Sequence, residues 1–386
     1  MTRKPLSFSL ERRFAAGVLM ILGACSAEPG ARRAASPEVP PILSESWRAY
    51  VRHFIQQDGR VIDHSAGGIS TSEGQSYAML RAVWINDRDT FDRTWQWALR
   101  NLSSGVRNDH LWAWKWGKSK AGRWGVLDTA FATDADEDAA FALILAAQQW
   151  GDQRYLNAAR AVLDDLWRLG TKEVNGRIYL LAGDTLCNGS QCRINPSYYA
   201  PYAYRAFGRV DRSHPWSRLV DTTYTLLEGA SQLTGTRLPP DWLWLDTVSG
   251  DLRLVDEKSS SFSYDAIRTP WRIALDDRLS SDERSSRYLR RSLGWLTTEW
   301  MEHRHLAAII SPRGKALAGY ESPEMLGVLM AALKPQAPKI AGEMNARVSR
   351  LYRNGVWSEA DRYYLQNWLW FGTALYLDFY GALRVR

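Results

Sequence analysis

The stretch TDADEDAAFALILAAQQWGDQRYLNAARAVLDDLW, residues 133–167, holds two helical patterns separated only by GDQR. The first spans about 134–149 and opens on acids, as the helix macrodipole favours. The second, about 153–169, is an ordinary amphipathic segment. A link this short makes the two helices antiparallel neighbours, so the stretch predicts a helical hairpin.

The same unit recurs on both sides. From Ser44 onward, helices are expected at about 44–57, 72–86, 89–102, 134–149, 153–169, 196–208, 213–234, 263–277, 282–303, 322–333, 337–353 and 359–381. Short links such as NDRD and GRVDRS join several pairs, and longer Gly- and Trp-rich segments, 103–133 and 235–262, separate others. Six hairpins of this kind predict an all-α fold, an (α/α)6 barrel with an inner and an outer ring. An open solenoid would show a consensus repeated at fixed period, and none is present. In the closed arrangement every second helix is inner, and the inner N-termini gather at one mouth. Those starts read SEGQSY, TDADEDAA, NPSYYAPY, SFSYDAIR, ESPEML and SEADRYY.

Acids at helix starts are ordinarily capping residues. The segment STSEGQSYAML, residues 70–80, is less ordinary. Ser72 and Gln75 have capping-box spacing, yet Gly74 weakens the first turn by about 1 kcal/mol relative to Ala. Glu73 stands beside it, and Gly74 is expected to leave room for a ligand at the backbone. Asp265, flanked by Tyr264 and Arg268, is a second carboxylate in an unusual setting.

With 45% hydrophobic residues in 386, the chain can bury a large core. Its 19 Trp and 17 Tyr are a surplus, since a buried indole N–H needs a partner; some rings are expected to line a ligand surface. Trp112, Trp114 and Trp116 alternate in LWAWKWG and would share one face of an extended segment. His is scarce and no metal-ligand spacing occurs, so no metal or cofactor is implied.

The N-terminus reads as an export signal over residues 1–24. Arg3, Lys4, Arg12 and Arg13 precede a short apolar run that ends in LGAC, a lipobox-like sequence that marks Cys25 for lipidation. Residues 25–43 read as a flexible tether, and 44–386 as the folded domain. Removing 1–24 lowers the formal charge from +7 to about +4, too mild for a nucleic-acid partner. Cys187 and Cys192 frame CNGSQC and, in an exported protein, are expected to form one disulfide.

These motifs, SEGQSYAML, LWAWKW, ATDADEDAAFALILAAQQWGD, NPSYY and SYDAIRTPWR, resemble glycoside hydrolase family 8 in order and spacing. The resemblance runs from about Trp47 to the C-terminus. QQDGRVIDHSAGGISTSEGQSYAM is most similar to periplasmic endoglucanases encoded with bacterial cellulose synthases. It implies an (α/α)6 barrel and an inverting endo-1,4-β-glucanase, with Glu73 as general acid and Asp265 as general base. Asp134 would stabilise the sugar at the cleavage point, a position some family descriptions call a nucleophile. Trp112, Trp114, Trp116, Tyr198, Tyr264 and Arg268 are the implied substrate-side residues, and Asp136 and Asp138 are left as capping or salt-bridge residues. The implied partners are a β-1,4-glucan and a cellulose synthase or export complex, with any membrane contact through a lipid anchor. The chain is expected to be a monomer in the periplasm or at the outer membrane. A xylanase or mixed-linkage glucanase is the alternative within the family. A non-catalytic glucan-binding subunit is the alternative of another class.

Overall fold

The computed structural model describes residues 38–280 and 282–385. The export signal, Cys25 and the first part of the tether lie outside the described residues. The thirteen helices among them are α1 (Pro41–Phe54), α2 (Ser72–Trp84), α3 (Arg88–Ala98), α4 (Thr133–Trp150), α5 (Gln153–Gly170), α6 (Pro201–Val210) and α7 (Ser217–Leu233). They continue as α8 (Arg268–Ser280), α9 (Glu283–Ser292), α10 (Gly294–His303), α11 (Pro323–Leu333), α12 (Pro338–Arg350) and α13 (Tyr363–Tyr376). The hairpin expected at 133–167 is α4 and α5, packed side by side.

Six helices follow one another in space in cyclic order. α2 packs on α4, α4 on α6, α6 on α8, α8 on α11 and α11 on α13, which returns to α2. Each also packs against one more helix: α3, α5, α7, α9, α12 and α1 respectively. This explains a sequence feature of the first set. α2 buries every residue from Gly74 to Trp84, and α4 every residue from Thr133 to Ala146. A helix enclosed on all sides has no polar face to display, whereas α5 buries a single stripe.

α11 and α13 cross at glycine. A Cβ on Gly372 would lie 2.1 Å from the carbonyl oxygen of Gly327, so these two backbones touch where no side chain fits. Aromatic rings fill the centre: Trp271 meets Trp368 edge to face, and Trp84 and Phe371 at a tilt.

Several boundaries differ from the sequence expectation. The helix expected at 44 begins at Pro41, with Leu43 fully buried, so residues 41–43 belong to the fold rather than to the tether. The helix expected over 282–303 is two, α9 and α10, because Leu293 leaves helical geometry at φ −91°, ψ 1° just before Gly294. The helix expected over 263–277 starts only at Arg268, which puts Asp265 in the preceding turn.

The connecting segments are not plain loops, so the fold is helical with β-hairpins at its loops. β1 (Ser70–Thr71), β2 (Lys115–Lys118) and β3 (Trp124–Asp128) form a three-stranded sheet, and β4 (Thr171–Val174) pairs with β5 (Arg177–Leu180). β6 (Cys187–Asn188), β7 (Gln191–Ile194), β8 (Leu243–Asp246) and β9 (Leu252–Leu254) form a four-stranded antiparallel sheet. β10 (Tyr352–Arg353) pairs with β11 (Val356–Trp357). Cys187 and Cys192 are disulfide-bonded and directly opposite each other on β6 and β7.

Candidate active site

Arg268, the first residue of α8, is 1% exposed and gathers residues from α2, α4 and two turns. Its Nη1 donates to Glu73 Oε2 at 2.8 Å and to Asp134 Oδ2 at 2.9 Å. Its Nη2 donates to Asp265 Oδ1 at 2.5 Å, and its Nε donates to Ser197 Oγ at 3.1 Å. The guanidinium also lies 5.1 Å from the centre of the Tyr198 ring. Three acids remote in sequence therefore share one buried cation, and all three were legible as candidates.

Each acid is placed by a local device. Thr71 caps α2, its hydroxyl accepting the Gly74 N–H at 3.0 Å, so Glu73 sits in the first turn. The capping box expected from Ser72 and Gln75 does not form. Gln75 turns into the core, where its Oε1 accepts the Val61 N–H at 2.6 Å and its Nε2 donates to the Thr94 carbonyl at 3.0 Å. The space beside Gly74 is not open to a ligand. A Cβ there would stand 3.3 Å from Thr71 Oγ1 and 3.4 Å from the Tyr363 ring. The Tyr363 ring occupies that space, and its hydroxyl donates to Glu73 Oε1 at 2.6 Å.

Asp134 is the second residue of α4, nearly fully buried at the foot of the cluster. Asp265 lies in the turn before α8, and that turn hangs on Asp241. Asp241 Oδ1 accepts the N–H groups of Ser263, Asp265 and Ala266 at 3.2, 3.2 and 2.6 Å. Asp241 also accepts the Ser263 hydroxyl. The second oxygen of Asp265 accepts the indole N–H of Trp242 at 3.0 Å.

Burial dominates the electrostatics. It raises the Glu73 carboxyl above its ordinary range, against the pull of Arg268 and Tyr363, and the charge of Asp265 adds to the rise. Burial also lifts Asp134 to about 7; Arg268 opposes the rise and Glu73 reinforces it. Asp241 reaches about 7 through burial and then through Asp265. Exposure separates the acids: side-chain accessibility is 21% for Glu73, 4% for Asp134 and 34% for Asp265. The site thus offers a carboxyl whose hold on its proton is strengthened by burial, a more open carboxyl group and a buried one.

The remaining expected residues divide. Tyr198 is half-buried beside Arg268, in the short turn before α6. Tyr264 points elsewhere: its hydroxyl is 3.5 Å from that of Tyr320, and only its carbonyl, accepting the Tyr364 hydroxyl, ties it to the site. Trp112 is 1% exposed, so it offers no face to a ligand, and its backbone N–H donates to Asp136 Oδ1 at 3.0 Å. Trp114 is half-buried, and its carbonyl accepts the Ser72 N–H at 3.0 Å, next to Glu73. Trp116 on β2 stacks on Trp124 with centroids 5.2 Å apart, under the guanidinium of Arg60. Asp138 pairs with Arg272 at 2.8 Å, the salt-bridge alternative left open for it. Sequence reasoning missed Tyr363, Asp241 and Trp242. Tyr363 stood in the helix start SEADRYY; nothing local marked the other two.

Comparison with known proteins gives this arrangement its class. The family model for glycosyl hydrolases family 8 matches residues 18–317, and the chain belongs to that family. An endoglucanase of Escherichia coli (strain K12) is 36% identical over 250 residues, covering 64% of this chain. That match spans 66% of the relative, just under two thirds of its length. The crystal structure of endo-1,4-D-glucanase from Vibrio fischeri ES114 superposes with a TM-score of 0.74 at 26% identity, covering 86% of this chain and 94% of that one. Endo-β-1,4-glucanase CMCax from Acetobacter xylinum gives 0.73 at 24% identity over 88% and 100%, a likeness of fold.

Proposed function

We propose that the protein is an endo-1,4-β-glucanase that hydrolyses internal bonds of a cellulose-like glucan with inversion at the anomeric carbon. The observation that carries this reading is the convergence of Glu73, Asp134 and Asp265 on Arg268. Family membership and the endoglucanase relatives support it. The cyclic helix packing supports an (α/α)6 barrel, with the acids at its mouth.

Inversion needs one carboxyl to protonate the leaving oxygen and another to activate water from the opposite face. Glu73 suits the first role because burial raises its carboxyl above the ordinary range, the direction a proton donor needs. Asp265, more open and aligned on both oxygens, suits the second. Asp134 is the residue proposed to hydrogen-bond the sugar at the cleavage point and to favour its distorted ring. Tyr198, Trp114 and Trp116 are the proposed sugar contacts. Export to the periplasm, a lipid on Cys25 and a part in cellulose synthesis complete the reading. These rest on residues 1–25 and on the sequence resemblance.

New reducing ends released from carboxymethyl-cellulose, xylan and chitosan test the proposal. Release from carboxymethyl-cellulose that is abolished in Glu73→Gln is the expected result. Release from xylan alone would replace the substrate, and no release from any of the three would favour a binding subunit.

A further inference from the structure

Asp265 is held at three points, and only Arg268 comes from the helix that follows it. The turn that carries it, residues 263–266, has three N–H groups directed at one oxygen of Asp241. The carboxylate then divides its oxygens, Oδ1 to Arg268 and Oδ2 to the indole of Trp242. An indole N–H is a donor only, so this contact cannot reverse and fixes which lone pairs remain free.

Asp241 and Trp242 are themselves anchored. The Asp241 N–H donates to the Ser261 carbonyl at 2.8 Å, and that of Trp242 to the Ser259 carbonyl at 3.0 Å. The Trp242 carbonyl accepts the Ser260 hydroxyl at 2.8 Å. Immediately after Trp242 the chain enters β8, which pairs with the disulfide-clipped β7. From β7, Arg193 lies 4.9 Å over the Trp242 ring, and Tyr198 meets that ring edge-on at 6.0 Å.

We infer that Asp241 and Trp242 are positioning residues for the water-activating carboxylate: Asp241 fixes the backbone of its turn, and Trp242 fixes the plane of its carboxyl group. The inference rests on the reading of Asp265 as general base. Misplacing a reacting group by about 1 Å can reduce turnover about 100-fold. Substrate binding depends on other contacts, so kcat should fall while KM holds.

Steady-state kinetics on carboxymethyl-cellulose test this with four variants, each checked for a melting temperature close to that of the parent. Trp242→Phe keeps the ring and deletes the donor; kcat is expected to drop about 10- to 100-fold with KM within about twofold. Asp241→Ala should give a similar kcat loss. Asp241→Asn, whose Oδ1 can still accept the three N–H groups, should recover most of it. A Trp242→Phe enzyme with kcat within about twofold of the parent overturns the inference, as does an Asp241→Asn enzyme as slow as Asp241→Ala. Asp265→Ala run in parallel separates the two levels: full turnover in that variant removes the base assignment itself. An inactive Asp265→Ala beside an unimpaired Trp242→Phe removes only the positioning role.

Discussion

Glu73 shows how one side chain can be given opposing instructions. The start of α2 and the Arg268 guanidinium both favour its anion, Tyr363 donates to it as well, and burial outweighs them. Glu73→Gln is expected to lower kcat about 10²- to 10⁴-fold, the usual range for losing a general acid. Tyr363→Phe should act differently. It removes a donor that stabilises the anion, so the alkaline limb of the pH–rate profile should move to higher pH. An unchanged limb would mean that another group sets it. Asp134 carries a stability consequence. Its folded pKa of about 7 lies above its ordinary value of 3.8, so between these values the folded state holds a proton that the unfolded state has lost. Stability therefore falls as pH rises through that window. Asp134→Asn should raise the melting temperature more at pH 8 than at pH 5, measured by circular dichroism, while lowering turnover.

At the scale of elements, the helices and the connections follow different rules. α11 and α13 touch backbone to backbone, and a methyl at Gly372 would meet the Gly327 carbonyl carbon at 2.5 Å as well as its oxygen. Gly372→Ala should therefore destabilise the fold by about 1–3 kcal/mol, as overpacking does, read as a lower midpoint in urea. Gly342, with nothing within 4 Å of its missing Cβ, supplies the tolerant control. The helices were legible in the sequence because periodicity and short links such as GDQR are local signals, and so was Glu73, in an odd helix start. What escaped depended on distant partners. Gln75 looks like a capping residue until Val61 and Thr94 claim its amide. Asp265 looks helical until Asp241, on a strand connection, captures its N–H. Trp112 alternates with Trp114 and Trp116, but the segment is not a strand until Lys115, so the shared face never forms.

Across the whole molecule, the acids come from α2, α4 and the turn before α8, and the Tyr363 hydroxyl comes from α13. No single hairpin holds the site, so its assembly requires these elements to be packed together. Loss of activity in denaturant should coincide with loss of helical circular dichroism. Activity lost well before the helices would instead point to the connecting sheets as the weaker unit.

Arg268 answers three carboxyl groups with one positive charge. In the proposed reaction an oxocarbenium-like sugar would form among these carboxyl groups, and those that are ionised would favour it. Small ring amines that mimic glucose should accordingly be retained far better than neutral sugars of the same shape. Their advantage should shrink in acid, when the pocket takes up protons of its own.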